Sequence, residues 1–146
     1  MDQARESDLT TTINLGALRS VSDQVSLLLD KATQNERDVI AALPEGSAML
    51  IALSGPSRGA RFLINSAKTT IGRSTDNDIF LDDVTVSRKH AEISHEGEIY
   101  SVRDCGSLNG TYVDGVVQEK SELRDGMELH IGKFRLHFFV GGKVRA

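Results

Sequence analysis

Three short clusters hold the side chains best suited to chemistry: Ile71-Gly72-Arg73-Ser74, Val86-Ser87-Arg88-Lys89-His90 and Gly106-Ser107-Leu108-Asn109-Gly110-Thr111. Arg73 follows a glycine at the end of one apolar run. Ser87, Arg88 and Lys89 place a hydroxyl and two cations directly ahead of another run. A phosphoryl group carries about −1.5 to −2 charges near neutral pH and three acceptor oxygens, so it calls for a forked cation beside short donors. Arginine supplies two parallel bonds to one phosphate and keeps its proton at all ordinary pH. The whole chain has a formal charge of −4. An anion must therefore be gripped locally, and the general basic field that drives nucleic-acid binding is missing.

Ser87 and His90 raise a second chemistry, that of a hydrolase. A nucleophile needs its base within hydrogen-bond reach and an acid to orient that base. Residues three apart at a loop-to-strand junction need not meet, and no nucleophile elbow surrounds Ser87. The expectation is a binding protein, not an enzyme. His130 and His137 flank a hairpin turn and are placed to face each other, but without a third ligand nearby they read as cross-strand surface residues and not as a metal site. Cys105, the single cysteine, reads as a small buried filler with no disulfide to make.

These clusters must be held by short strands. After Pro44-Glu45-Gly46 the sequence alternates brief β-prone runs with turn dipeptides such as Gly55-Pro56, Asp76-Asn77, Asn109-Gly110, Asp114-Gly115 and Asp125-Gly126. The expected strands are Ala48 to Leu53, Arg61 to Ile64, Thr69 to Gly72, Ile79 to Leu81, Ala91 to Ser94, Ile99 to Asp104, Thr111 to Val113, Met127 to Ile131 and Phe134 to Val140. Many short strands at this spacing imply an all-β sandwich of two antiparallel sheets. Ahead of it, Leu18, Val21, Val25, Leu28, Leu29 and Ala32 recur at three- and four-residue steps, which predicts one amphipathic helix from Leu18 to about Leu43. Met1 to Asn14 is polar, contains Thr10, Thr11 and Thr12, and reads as a solvated tail.

The expected organisation is therefore a tail over 1–17, a helix and linker over 18–46, one domain over 47–140 and a short C-terminal tail over 141–146. The length of 146 residues suits one domain. One cysteine, no apolar run of membrane-spanning length and an acidic N-terminus fit a cytoplasmic protein.

The ordered trio of G-R, S-R-K-H and N-G-T within a β-rich stretch of some 95 residues resembles the signature of forkhead-associated (FHA) domains, which read phosphothreonine. The resemblance implies that Arg73 and Ser87 contact the phosphate and that Arg88 assists. It implies that Asn109 bonds the ligand backbone, with Ser107 and Thr111 beside it in the phosphothreonine-binding set. Gly72, His90 and Gly110 would support the pocket, and no cofactor is implied. The stretches Leu43 to Ala48, Asp78 to Arg88 and Ile131 to Leu136 are further similar to the small actinobacterial regulators of the GarA/OdhI family. In that family a Ser/Thr kinase phosphorylates a tail threonine, the domain binds its own tail, and inhibition of enzymes at the 2-oxoglutarate branch point ends.

Carried over, the resemblance implies a monomeric regulator. Its partners would be a Ser/Thr protein kinase, phosphothreonine peptides including its own tail, and 2-oxoglutarate dehydrogenase, glutamate dehydrogenase or glutamate synthase. Neither nucleic acid nor a membrane span is expected. The alternative is a plain phosphothreonine adapter that recruits kinases or cell-envelope partners. The family tail motif is close to Glu-Thr-Thr-Ser-Val-Phe-Arg, whereas Leu9 to Leu15 here lacks the glutamate and the arginine. An apolar residue three places after the phosphothreonine points first to Thr12 (Leu15), while Thr10 (Ile13) and Thr11 remain candidates. Roughly 33 residues lie between these threonines and Ser47. As flexible chain they would span roughly 30 to 35 Å, enough to reach the domain's own pocket.

Overall fold

The computed structural model describes residues 25–143. Helix α1 (residues 25–31) and helix α2 (Gln34–Ala41) precede eleven strands. These are β1 (Ala48–Ile51), β2 (Arg61–Ile64), β3 (Lys68–Gly72), β4 (Ile79–Phe80), β5 (Ala91–Glu96), β6 (Ile99–Asp104), β7 (Thr111–Val113), β8 (Val116–Val117), β9 (Lys120–Leu123), β10 (Glu128–Ile131) and β11 (Phe134–Val140). They form a six-stranded sheet in the order β2-β1-β11-β10-β7-β8 and a five-stranded sheet in the order β4-β3-β5-β6-β9.

Alternation sorts the side chains. Leu129 and Ile131 of β10 are buried while Glu128 and His130 between them are partly exposed. The inner faces bring Leu50, Ile131, Leu136 and Phe138 against Ile71, Ile93, Tyr100 and Val102, each large side chain contributing about 1.5–3 kcal/mol on burial.

Strand β1 breaks the alternation, with all four residues buried. Its second face is covered by the helices: Met49, Ile51, Leu53 and Phe139 pack with Ala32, Ile40 and Leu43 in a separate apolar cluster. The single expected helix is two. Thr33 caps α2, its Oγ1 accepting from the Glu36 N–H at 3.1 Å while Glu36 Oε1 accepts from the Thr33 N–H at 2.8 Å. That reciprocal pair starts a new helix where the apolar spacing alone reads straight through. Arg37 closes the end of α1 by donating to the carbonyls of Leu29 and Ala32. Arg58, in the loop between β1 and β2, reaches Lys31 O at 3.0 Å and Glu36 at 3.6 Å.

Other boundaries shift as well. β8 and β9 were not among the expected strands, and β4 runs parallel to β3, so the second sheet is not wholly antiparallel. Only two residues of β4 pair, which lets a loop of six residues replace the long crossover a parallel strand ordinarily needs. Gly141 N–H bonds Ser47 O at 2.8 Å and Gly142 N–H bonds Leu43 O at 3.1 Å, so the packed unit includes the helices and extends past Val140. The expected tail over 1–17, with its threonines, lies outside the described residues.

Candidate phosphopeptide-binding site

Three loops meet at one pole of the sandwich: 73–78 after β3, 81–90 between β4 and β5, and 105–110 between β6 and β7. The first two are joined through the backbone. Arg73 N–H donates to Ser87 O at 2.9 Å and Ser74 N–H to Arg88 O at 3.3 Å. Asn77 Nδ2 adds bonds to Ser74 O and Arg88 O at 2.9 and 2.8 Å. Gly72 is required for this approach, because a Cβ there would collide with the Arg88 carbonyl and crowd Asn77.

His90 ties the second loop to the third. It is fully buried. Its Nδ1 accepts from the Ser87 N–H at 3.1 Å and its Nε2 lies 2.9 Å from Gly110 O. The accepting role of Nδ1 puts the proton on Nε2, which donates to that carbonyl. The histidine thus engages the backbone of Ser87. The Ser87 hydroxyl instead accepts from the Leu108 N–H at 3.0 Å, so these two residues do not form a nucleophile and base. The letters Gly-x-Ser-x-Gly do occur at Gly55 to Gly59, but that run is the hairpin loop between antiparallel β1 and β2 and not a strand-to-helix elbow.

Asp104 organises the third loop. Its Oδ2 accepts from the N–H groups of Gly106 and Ser107, both at 3.0 Å, and its Oδ1 accepts from the hydroxyls of Ser107 at 2.5 Å and Thr111 at 2.7 Å. Burial pushes this carboxyl up, but the hydroxyl and backbone donors together outweigh it and hold it below the ordinary aspartate value. Ser107 also accepts from the Gly110 N–H at 2.9 Å, and Thr111 is only 1% exposed. Both were expected among the ligand-binding residues. In this structure Thr111 lies buried in the sandwich with its hydroxyl on Asp104, and the Ser107 hydroxyl bonds Asp104 and the Gly110 N–H within the loop.

A further clip sits on the second loop. Thr85 N–H and Oγ1 both bond Asp83 Oδ2, Lys133 N–H donates to Thr85 Oγ1 at 3.0 Å, and Lys133 Nζ lies 3.1 Å from Asp83 Oδ1. The Thr85 hydroxyl and N–H, followed by Lys133, lower the Asp83 carboxyl to about 2. Asn109 Nδ2 then reaches across to Thr85 O at 2.9 Å.

What this leaves at the surface is a small set of unspent groups. Arg73 is exposed and uses Nε on Val86 O at 3.0 Å, so the two terminal nitrogens of its fork point to no partner among the described residues. Ser87 is half-buried and retains its hydroxyl proton as a donor. Exposed Asn109 retains its side-chain carbonyl, and the exposed cations of Arg88 and Lys89 flank the site without an ion pair among the described residues. Val84 and Leu108, 89% and 90% exposed, form an apolar rim. Sequence reasoning brought Arg73, Ser87, Arg88 and Asn109 to one place, and it missed Asn77, Asp83, Thr85, Asp104 and Lys133. The spacing of Asp83 and Thr85, an acid two residues before a threonine, was the available signal for one of these clips.

Elsewhere the expected facing of His130 and His137 does not occur, since β10 and β11 pair His130 with Arg135 and Glu128 with His137. Burial, more than the neighbouring charges, raises the Cys105 thiol above its ordinary value, which makes it a poor nucleophile. No helix among the described residues is long and apolar enough to cross a membrane.

The FHA domain family model matches residues 69–132. An oxoglutarate dehydrogenase inhibitor from Corynebacterium jeikeium is 54% identical over 104 residues, covering 71% of this chain and 72% of its own. The glycogen accumulation regulator GarA of Mycolicibacterium smegmatis is 52% identical over 104 residues, covering 71% and 66% respectively. A solved FHA domain with phosphothreonine-dependent interactions aligns with a TM-score of 0.59 at 29% identity, over 64% of this chain and 96% of that one. With both the fold and the loop constellation in place, the chain belongs to the FHA domain family, among the relatives named GarA and oxoglutarate dehydrogenase inhibitor.

Proposed function

We propose that this chain is a phosphothreonine-binding regulator that inhibits a 2-oxoglutarate dehydrogenase when its tail is unmodified and is released when a Ser/Thr kinase phosphorylates that tail. The observation that carries the reading is the convergence of an unspent arginine fork, an unspent serine proton and an asparagine amide on one pole, held by loops whose other polar groups are already paired. The terminal nitrogens of Arg73 bind two phosphate oxygens, the Ser87 hydroxyl donates to the third, and Arg88 adds charge. Asn109 takes the peptide backbone beside the phosphothreonine. The enzyme partner is supported by the names of relatives at 50% identity and above, the oxoglutarate dehydrogenase inhibitors among them. Glutamate dehydrogenase and glutamate synthase are further candidate targets. Thr12, with Thr11 and Thr10, is the proposed modification site, and the proposed working form is a cytoplasmic monomer.

The test is titration of a phosphothreonine peptide into the wild-type protein and into Arg73→Ala and Ser87→Ala. Loss of a charge-assisted bidentate contact should weaken binding by about 30-fold or more, with unfolding midpoints nearly unchanged because both side chains sit on loops. Undiminished affinity in Arg73→Ala would sink the assignment.

A further inference from the structure

The two side chains assigned to grip a phosphopeptide at its phosphate and its backbone stand on different loops but hang on one dipeptide. Arg73, after β3, donates from Nε to Val86 O at 3.0 Å. Asn109, between β6 and β7, donates from Nδ2 to Thr85 O at 2.9 Å. The carbonyls of two consecutive residues therefore locate both grips. Where those carbonyls point depends on the turn that contains them.

That turn is held more tightly than its main chain requires. Val86 N–H donates to Asp83 O at 3.0 Å, which alone makes an ordinary four-residue turn. The Asp83 side chain then folds over it, Oδ2 accepting from the Thr85 N–H at 3.0 Å and from the Thr85 hydroxyl at 2.5 Å. The same hydroxyl accepts from the Lys133 N–H at 3.0 Å, and Lys133 Nζ returns to Asp83 Oδ1 at 3.1 Å. Asp83, Thr85 and Lys133 thus complete a ring of bonds between the pocket turn and the two-residue turn of the β10–β11 hairpin, where Ile131 pairs with Phe134. Gly132 lets the two turns touch, since a Cβ there would stand 2.5 Å from Thr85 Oγ1 and 2.9 Å from Thr85 O. The Thr85 hydroxyl gives its proton to Asp83 and accepts a bond from Lys133, so it is committed inside the ring and is not a ligand group. Half-exposed Lys133 Nζ adds little by itself, as an ion pair in contact with water does. The hydroxyl and the carboxylate carry the clamp.

We infer that Asp83 and Thr85 are positioning residues for phosphopeptide recognition: the clamped turn sets the spacing between the Arg73 fork and the Asn109 amide, and with it the preference for a phosphothreonine within a peptide over a free phosphate ion. The inference rests on the pocket reading given above and adds what fixes the register of the pocket. In a peptide, covalent bonds set the distance from the phosphate to the neighbouring backbone, so both grips engage only when the protein offers the same distance in advance. A phosphate ion uses the Arg73 and Ser87 side alone and tolerates a loosened turn. Once the clamped arrangement is populated in only a fraction of molecules, peptide affinity falls by that fraction.

The experiment measures binding of two probes to the full chain: a synthetic peptide of residues 6–18 phosphorylated at Thr12, and inorganic phosphate. Thr85→Val removes the hydroxyl from the ring with little change of shape, and Asp83→Ala removes the carboxylate. Each should weaken peptide binding about tenfold and phosphate binding less than about twofold. Thr85→Ser, which keeps the hydroxyl, should bind peptide within about twofold of wild type. In an Asn109→Ala background the effect of Thr85→Val on the peptide should shrink below about twofold, because the register then has no second grip to serve. An effect of about tenfold that persisted in that background, or equal losses for peptide and phosphate, would mark the turn as merely structural and overturn the inference. Wild-type peptide affinity in both Thr85→Val and Asp83→Ala would overturn it too, and leave the pocket reading standing. A wild-type chain that binds neither probe would overturn the pocket reading itself, and the positioning roles with it.

Discussion

The pocket pole and the helix-covered face of the six-stranded sheet are stabilised by opposite means. At the pole, shape comes from side chains bonding to backbone across loops: His90 to Ser87 and Gly110, Asn109 to Thr85, Asp104 to Gly106 and Ser107. On the covered face it comes from close apolar contact among Ile40, Ile51, Leu53 and Phe139, all nearly inaccessible to solvent. The first arrangement leaves a few polar groups unspent and available to a ligand. The second holds α1 and α2 against the sheet by apolar packing alone.

This division predicts that the two regions separate under mutation. The largest effect on stability should come from Phe139→Ala, which empties the contact between β11 and the helices. A truncated buried phenylalanine costs about 3–5 kcal/mol, readable as a lower denaturant midpoint, while affinity of the remaining folded protein for phosphothreonine peptide should change less than about threefold. A pocket affinity that collapsed along with stability would show that the two regions are one unit.

His90→Ala sharpens the comparison from the other side. It removes one ring and leaves the Ser87 N–H and the Gly110 carbonyl without their partner. An unsatisfied buried group costs about 1–3 kcal/mol, so the expected stability loss is about 2–4 kcal/mol, below that of Phe139→Ala at its upper end. The affinity loss should be larger, at least about tenfold, since the ring holds both the Ser87 loop and the Asn109 loop. Amide shifts confined to residues 85–90 and 106–111 would mark the damage as local, and shifts spreading into α1 and α2 would contradict it.

The sequence was most informative where a residue type has one physical use. Gly72 ahead of Arg73, and the hydroxyl and cations before β5, pointed to the pole where these loops meet without any knowledge of the sheet order. Alternation placed the edges of β2, β6, β7 and β11 where they stand. It was least informative where two signals overlapped. Thr33 and Glu36 start a helix inside an apolar repeat that continues past them, so periodicity read one helix where capping makes two. Thr111 and Ser107 carry the same hydroxyl as Ser87, and nothing local tells a hydroxyl facing a ligand from one facing Asp104. That distinction depends on a carboxylate at the end of β6 arriving beneath the loop, which only the fold decides. β8 is only two consecutive valines and β9 has Leu123 as its one apolar residue, so neither shows an alternation to read.

The smallest expected effect tests the clip that joins the β10–β11 turn to the pocket. The carboxyl of Asp83 falls from its ordinary value of 3.8 to about 2, through the Thr85 hydroxyl first, then the Thr85 N–H and Lys133. A group whose folded value is depressed stabilises the fold when ionised. Its contribution is therefore fully present above about 3.8 and is lost as the pH falls through about 2. Over that window the amide signals of Thr85 and Lys133 should move together, reporting release of both partners of one carboxylate. In Asp83→Asn that coupled movement should be absent, even though Asp104 at the next loop, also held below its ordinary value, still titrates nearby. Movement of Thr85 and Lys133 that persisted unchanged in the variant would assign the low-pH loosening to Asp104, and would place the weakest joint of the pole beneath the Asn109 loop and not at the turn.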